Sequence, residues 1–148
     1  MKNDREILEN GVVSPLALIR WVSSEYEELI VKENGEHKIL NQKAVRSILK
    51  ILTIKNGISQ NELAREVHLQ GSTGRVALVN MDKEGLIRRE ASITDKRKVK
   101  VYMTSLGYDM VKRLDNSVQK MEEVLLNGLT DSEIYDLHCY LSKILKNC

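Results

Sequence analysis

The stretch ITDKRKVKVYMTSLG, residues 93–107, sets four positive charges and one acid in and just ahead of an alternating segment. In KVKVYM (98–103) apolar and polar or aromatic residues alternate, the period of a half-buried strand. Upstream, Leu86 and Ile87 followed by Arg88 and Arg89 read as a second short strand. The two strands predict a hairpin whose tip carries Asp95, Lys96 and Arg97. A cationic tip of this kind suits an anionic groove. A solvated turn holding a local ion pair, worth about 0–1 kcal/mol, would use the same residues.

Working outward, the rest of the chain reads as helices. Ser14-Pro15 opens the first, a capping residue followed by proline at the first helical position. Leu16, Ile19, Val22, Tyr26, Leu29 and Ile30 recur at helical spacing to about Val31, and KENGEHK is expected to be a loop. A second helix is expected from about Asn41 to Lys55, with Ala44, Val45, Ile48, Leu49 and Leu52 on its apolar stripe and Asn56-Gly57 as its stop. Ser59 and Glu62 form a capping box for a short helix. HLQG is a tight turn, and a further helix from about Ser72 to Glu84 ends at Gly85. Thr104 caps a long helix closed by Gly128. Thr130 and Glu133 cap the last one.

At 148 residues, 42% hydrophobic and 30% charged, the chain has the size and composition of one folded domain with helical extensions. Phenylalanine is absent, so the core is aliphatic with a few tyrosines and Trp21. No apolar run approaches the roughly 18 residues of a membrane helix. MKNDREILEN mixes both charge signs and lacks a signal-peptide core, so a cytoplasmic protein is expected. Cys139 and Cys148 are too few for a disulfide framework.

The net charge of +2 conceals segregation. Residues 1–37 hold four Lys and Arg against eight Asp and Glu, residues 38–113 sixteen against seven, and residues 114–148 three against six. A basic middle between acidic ends suits a polyanion-binding centre with flanking segments of another purpose. Chance clustering of solvated charge would look the same.

Two short helices joined by a tight turn, with a hairpin after the second, describe a winged helix-turn-helix. SQNELAREVHLQGST, MDKEGLIRRE and DKRKVKVYMTSLG resemble the MarR (multiple antibiotic resistance regulator) family of winged-helix repressors. The last stretch is similar to the family's wing motif, Asp-x-Arg, a strand, then Leu-Thr-x-x-Gly, with Met103 in place of the leucine. The similarity covers roughly residues 14–146. It implies a mainly α fold with a small β-hairpin wing (α+β). In that fold residues 1–37 are an N-terminal dimerisation region, 38–103 the DNA-binding domain and 104–148 C-terminal dimerisation helices.

In that frame Arg97 enters a narrow minor groove, whose negative potential favours a guanidinium. Asp95 pairs with an arginine to fix its direction, while Lys96, Lys98 and Lys100 contact phosphates. Along the recognition helix, Gly74, Ala77, Leu78 and Met81 are expected to face the core. Ser72, Thr73, Arg75, Val76, Val79 and Asn80 are left for the groove, with Gln70 just before them. Ser72 and Thr73 sit where free backbone donors attract phosphate. Arg75 is placed to read guanine bidentately. Val76 stands where many relatives carry arginine or another polar residue, and could meet a thymine methyl. Gly74 costs about 1 kcal/mol relative to alanine inside a helix, so the helix either packs closely or is loosened in its first turn.

The apolar stripes of the terminal helices are too wide for one small domain to cover. Pairing with a second copy would bury them and set two recognition helices on successive major grooves of a pseudo-palindromic duplex. The resemblance further implies a small phenolic or anionic effector between the dimerisation and DNA-binding parts. Trp21, Tyr26, His37 and Arg46 are the candidates to line such a pocket, against the commoner role of an aromatic as core. Thiol-sensing relatives carry a cysteine in the first helix, and VVSPLALIRW has none. His37, His68 and His138 are too dispersed for a metal centre, and no cofactor is expected. No nucleophile–base pair, phosphate loop or dinucleotide fingerprint appears, which argues against an enzyme. The competing function is a winged-helix module that uses its basic face for an acidic protein.

Overall fold

The computed structural model describes residues 13–67, 72–91 and 98–148. Helix α1 spans Pro15–Asn34, with the Ser14 side chain accepting from the Leu16 amide. It runs a turn past Val31 because Asn34, polar in type, is buried and donates to the Asn41 side chain at 2.9 Å. The segment after it, expected as open loop, contains a 3-10 turn over Lys38–Asn41 anchored by the fully buried Leu40. Helix α2, Lys43–Ile54, carries the most strongly sided apolar stripe of the chain, with Val45, Ile48, Leu49 and Leu52 all buried.

Gly57, at φ +81°, turns the chain into strand β1, the two residues Ile58–Ser59. Helix α3 is Gln60–Glu66 and α4 is Ser72–Lys83. At the start of α3 the Ser59 hydroxyl accepts from the Glu62 amide at 3.3 Å, one of the two bonds of the expected box. Strands β2, Ile87–Ala91, and β3, Val99–Met103, form the hairpin, with Ile87 opposite Met103 and Arg89 opposite Val101.

The sheet has three strands in the order β1-β3-β2, one more than the hairpin read from the sequence. A two-residue strand has no periodicity to read. It exists because Ile58 pairs with Val101 on the buried face and because Asn56 accepts from the Met103 amide at 2.9 Å. Helices α2, α3 and α4 and the sheet share one aliphatic core, including Leu63, Leu78, Met81, Ile87 and Val101.

Helix α5, Ser105–Leu125, adds Met110 and Val111 to this core and packs along α1 and α2, with Leu114 and Met121 buried further along it. Thr104 joins it to the hairpin: its hydroxyl accepts from the Gly107 amide at 3.1 Å and donates to the Gly85 carbonyl at 2.6 Å. Helix α6, Asp131–Leu145, starts with both bonds of the Thr130–Glu133 capping box. None of its residues is buried, and Tyr135, Tyr140 and Leu145 are largely exposed. No helix among the described residues is long and apolar enough to cross a membrane.

Candidate nucleic-acid interface

The helix pair α3–α4 sits at one end of the aliphatic core. Helix α4 turns Gly74, Ala77, Leu78 and Met81 inward and leaves Thr73, Arg75, Val76 and Val79 exposed, with Asn80 half-buried. This is the division that the spacing predicts. Arg75 and Val76 border a crevice whose far wall is Gln60, Asn61 and Ala64 of α3. Gly74 is buried and borders the same crevice. Ser72 is the first residue of α4. Gln70 precedes it and lies outside the described residues, as does His68.

The hairpin is fastened to α4 by charge. Arg89 donates from Nε and Nη2 to Asp82 Oδ2 at 2.9 and 2.8 Å, joining β2 to the last turns of the helix. Arg88 lies 4.7 Å from the centroid of the Tyr102 ring across the hairpin and pairs with Glu90, two residues along the same strand face. Residue type and position alone name no partner for either arginine. The pattern Arg88-x-Glu90 was visible, whereas Asp82 and Tyr102 become neighbours only through the fold. Lys98 and Lys100 are exposed along β3 and border a hollow with Ser59, Gln60, Asn61 and Arg65. Asp95, Lys96 and Arg97 lie outside the described residues.

A second cavity of about 470 Å³ opens where α1, α2, α3 and α5 meet. Tyr26 and Arg46 line it together with Glu27, Lys43, Lys50, Leu114 and Val118. Trp21 and His37 are not among its lining residues. Arg46 is buried and engaged on several sides. It donates to the Leu40 and Asn41 carbonyls at 2.9 and 3.0 Å and forms an ion pair with Glu27 of α1. Burial pushes the Tyr26 hydroxyl above its ordinary range, with the Arg46 charge opposing, so it is a protonated donor at neutral pH. Glu27, Lys43 and Lys50 were not singled out in the sequence, because their convergence depends on how α1 crosses α2.

Arg46→Ala is expected to lower stability by about 2–3 kcal/mol, since it strands two inward carbonyls and the Glu27 carboxylate. Chemical denaturation of the variant measures this. A loss below about 0.5 kcal/mol would mean water replaces the guanidinium fully.

The architecture has close counterparts. A MarR-family transcriptional regulator from Silicibacter pomeroyi superimposes with a TM-score of 0.68, at 26% identity over 88% of this chain and 86% of that one. The chain has the MarR-family winged-helix fold. The PcaV regulator of Streptomyces coelicolor, crystallised with its natural ligand, shares the MarR fold at a TM-score of 0.74. It is 19% identical over 90% of this chain and 93% of its own. In sequence, 86 residues are 27% identical to a protein named as a transcriptional regulatory protein for the hcr operon of Thauera aromatica. That match covers 58% of this chain and spans about half the length of the relative, 52%. No protein-family model matches the chain. Within the MarR fold, α3 and α4 are the helix-turn-helix, and β2 and β3 are the wing strands.

Proposed function

We propose that the protein is a homodimeric regulator of transcription that binds a pseudo-palindromic duplex, a repressor released by a small phenolic or anionic effector. The observation that carries the reading is the outer face of α4. Every residue the core requires lies on its inner face, while Thr73, Arg75, Val76 and Val79 are exposed, as are Lys98 and Lys100 of the hairpin. In this reading Gln70, Ser72, Thr73, Arg75, Val76 and Asn80 meet the major groove. Asp95, Lys96, Arg97 and Lys98 form the wing contact, within a DNA-binding unit of residues 38–103.

Two further features support the remaining parts. The exposed apolar residues of α6, with Leu16 and Val22 of α1, favour pairing of the terminal helices with a second copy. The cavity lined by Tyr26, Lys43, Arg46 and Lys50 presents a hydroxyl and cations to an aromatic or anionic effector, with Arg46 already paired to Glu27 and Lys50 to Asp115. It borders both α1 and the helix-turn-helix, so occupancy would change how the two lobes of a dimer are held apart.

The test is selection of tight-binding duplexes from a random pool by the full chain, followed by titration at several salt concentrations. A palindromic consensus and a steep negative salt slope are expected. Sequence-blind binding, or none at low ionic strength, would overturn the reading in favour of an acidic protein partner. On the selected duplex, Arg75→Ala is expected to relax preference at one base pair per half-site by about 1–3 kcal/mol. A uniform loss across sequences would recast Arg75 as a phosphate contact.

A further inference from the structure

The pole of α4 that points directly away from the core carries two valines. With Gly74, Ala77, Leu78 and Met81 buried, a helix of 3.6 residues per turn puts Val76, Val79 and Lys83 on the opposite line. Val76 is 54% exposed and Val79 37%. Arg75 flanks this line on one side, with Thr73 and Asn80 on the other. Valine is a poor helix former because its branched Cβ crowds the preceding turn. More than half of Val76 and over a third of Val79 stay in solvent, so packing within the chain offsets this only in part.

Their surroundings say what kind of surface they fit. Arg75 and Lys83 frame the two valines, and residues 38–113 carry sixteen Lys and Arg against seven Asp and Glu. An apolar pair inside a cationic frame matches a duplex major groove at thymine, which offers a methyl group on its base edge and phosphates on either side. Cβ atoms three apart on a helix lie about 5–6 Å from one another. Successive bases rise about 3.4 Å along a strand. The pair therefore spans neighbouring or next-but-one base pairs.

The geometry points to Val76 and Val79 as specificity-determining residues that read the C5-methyl groups of two nearby thymines in each half-site. This assignment rests on the DNA-binding reading above and adds to it the base identity at two positions. The arginine beside them supplies the polar contact, and the valines discriminate by shape and desolvation.

The experiment uses the full chain and the duplex it selects from a random pool. Single thymines are then replaced by deoxyuridine, which preserves pairing and every groove donor and acceptor and removes only the methyl. Affinity is expected to fall about fourfold at each contacted thymine, equivalent to about 0.8 kcal/mol per buried methyl-sized group. Val76→Ala and Val79→Ala proteins should each become insensitive to uracil at one of the two positions while melting as the parent does. Tight binding of the selected duplex with no uracil effect anywhere overturns the assignment and leaves the DNA-binding reading standing. An unchanged uracil penalty in both valine variants also overturns it, since another residue would then hold the methyls. Failure to select any duplex overturns both.

Discussion

Gly107→Ala is expected to destabilise the fold by about 3 kcal/mol, although alanine is the better helix former by about 1 kcal/mol. Gly107 lies in the first turn of α5, beneath the end of the hairpin. A Cβ there would overlap the Leu86 backbone carbonyl oxygen and Met103 Cγ. The methionine side chain has room to adjust, but the carbonyl belongs to the strand entry and also accepts from the Thr104 amide at 3.1 Å. Relief therefore requires α5 to separate from the sheet. For a chain of this size the melting temperature should drop by roughly 6–12 °C. A variant as stable as the parent in a calorimetric scan would show that α5 shifts along the sheet at little cost.

Removal of residues 130–148 is expected to give a folded monomer that binds its duplex about 10²–10⁴-fold more weakly. The folded part of the expectation follows from α6 burying none of its residues within the chain, so the aliphatic core is left intact. The loss of affinity follows from the proposed pairing. Two recognition helices held together bind with an effective concentration that a single one lacks. Sedimentation and circular dichroism together check it. A truncated protein that remains dimeric would move the interface to α1 and α5, where Leu16, Val22 and Val124 are also exposed. A truncated protein that unfolds would show that α6 supports its own chain.

The two expectations differ in how far the sequence could have supplied them. The last residues of the opening stretch, Thr104 and Gly107, are recognisable as a motif, and Thr104 is legible as a helix cap from type and position alone. The reason for glycine at 107 is not. It depends on the Leu86 carbonyl, which is remote in sequence and arrives through the hairpin. Helix α6 is the reverse case. Its capping box and apolar spacing are plain in the sequence.

The same division holds across the molecule. Helical period, caps and stops are local, because they depend on hydrogen bonds and side-chain directions within a turn or two. From them the residues alone determined the helix order, the hairpin, the inward and outward faces of α4, and the resemblance to winged-helix regulators. Tertiary structure decided what those elements meet. It recruited Ile58 and Ser59 as a third strand, carried α1 on to a buried Asn34, and tied Arg89 to Asp82. It also brought Tyr26 and Arg46 to one cavity while leaving Trp21 and His37 out of its lining. Each of these depends on groups far apart in the chain approaching within a few ångströms, a distance that no local pattern encodes.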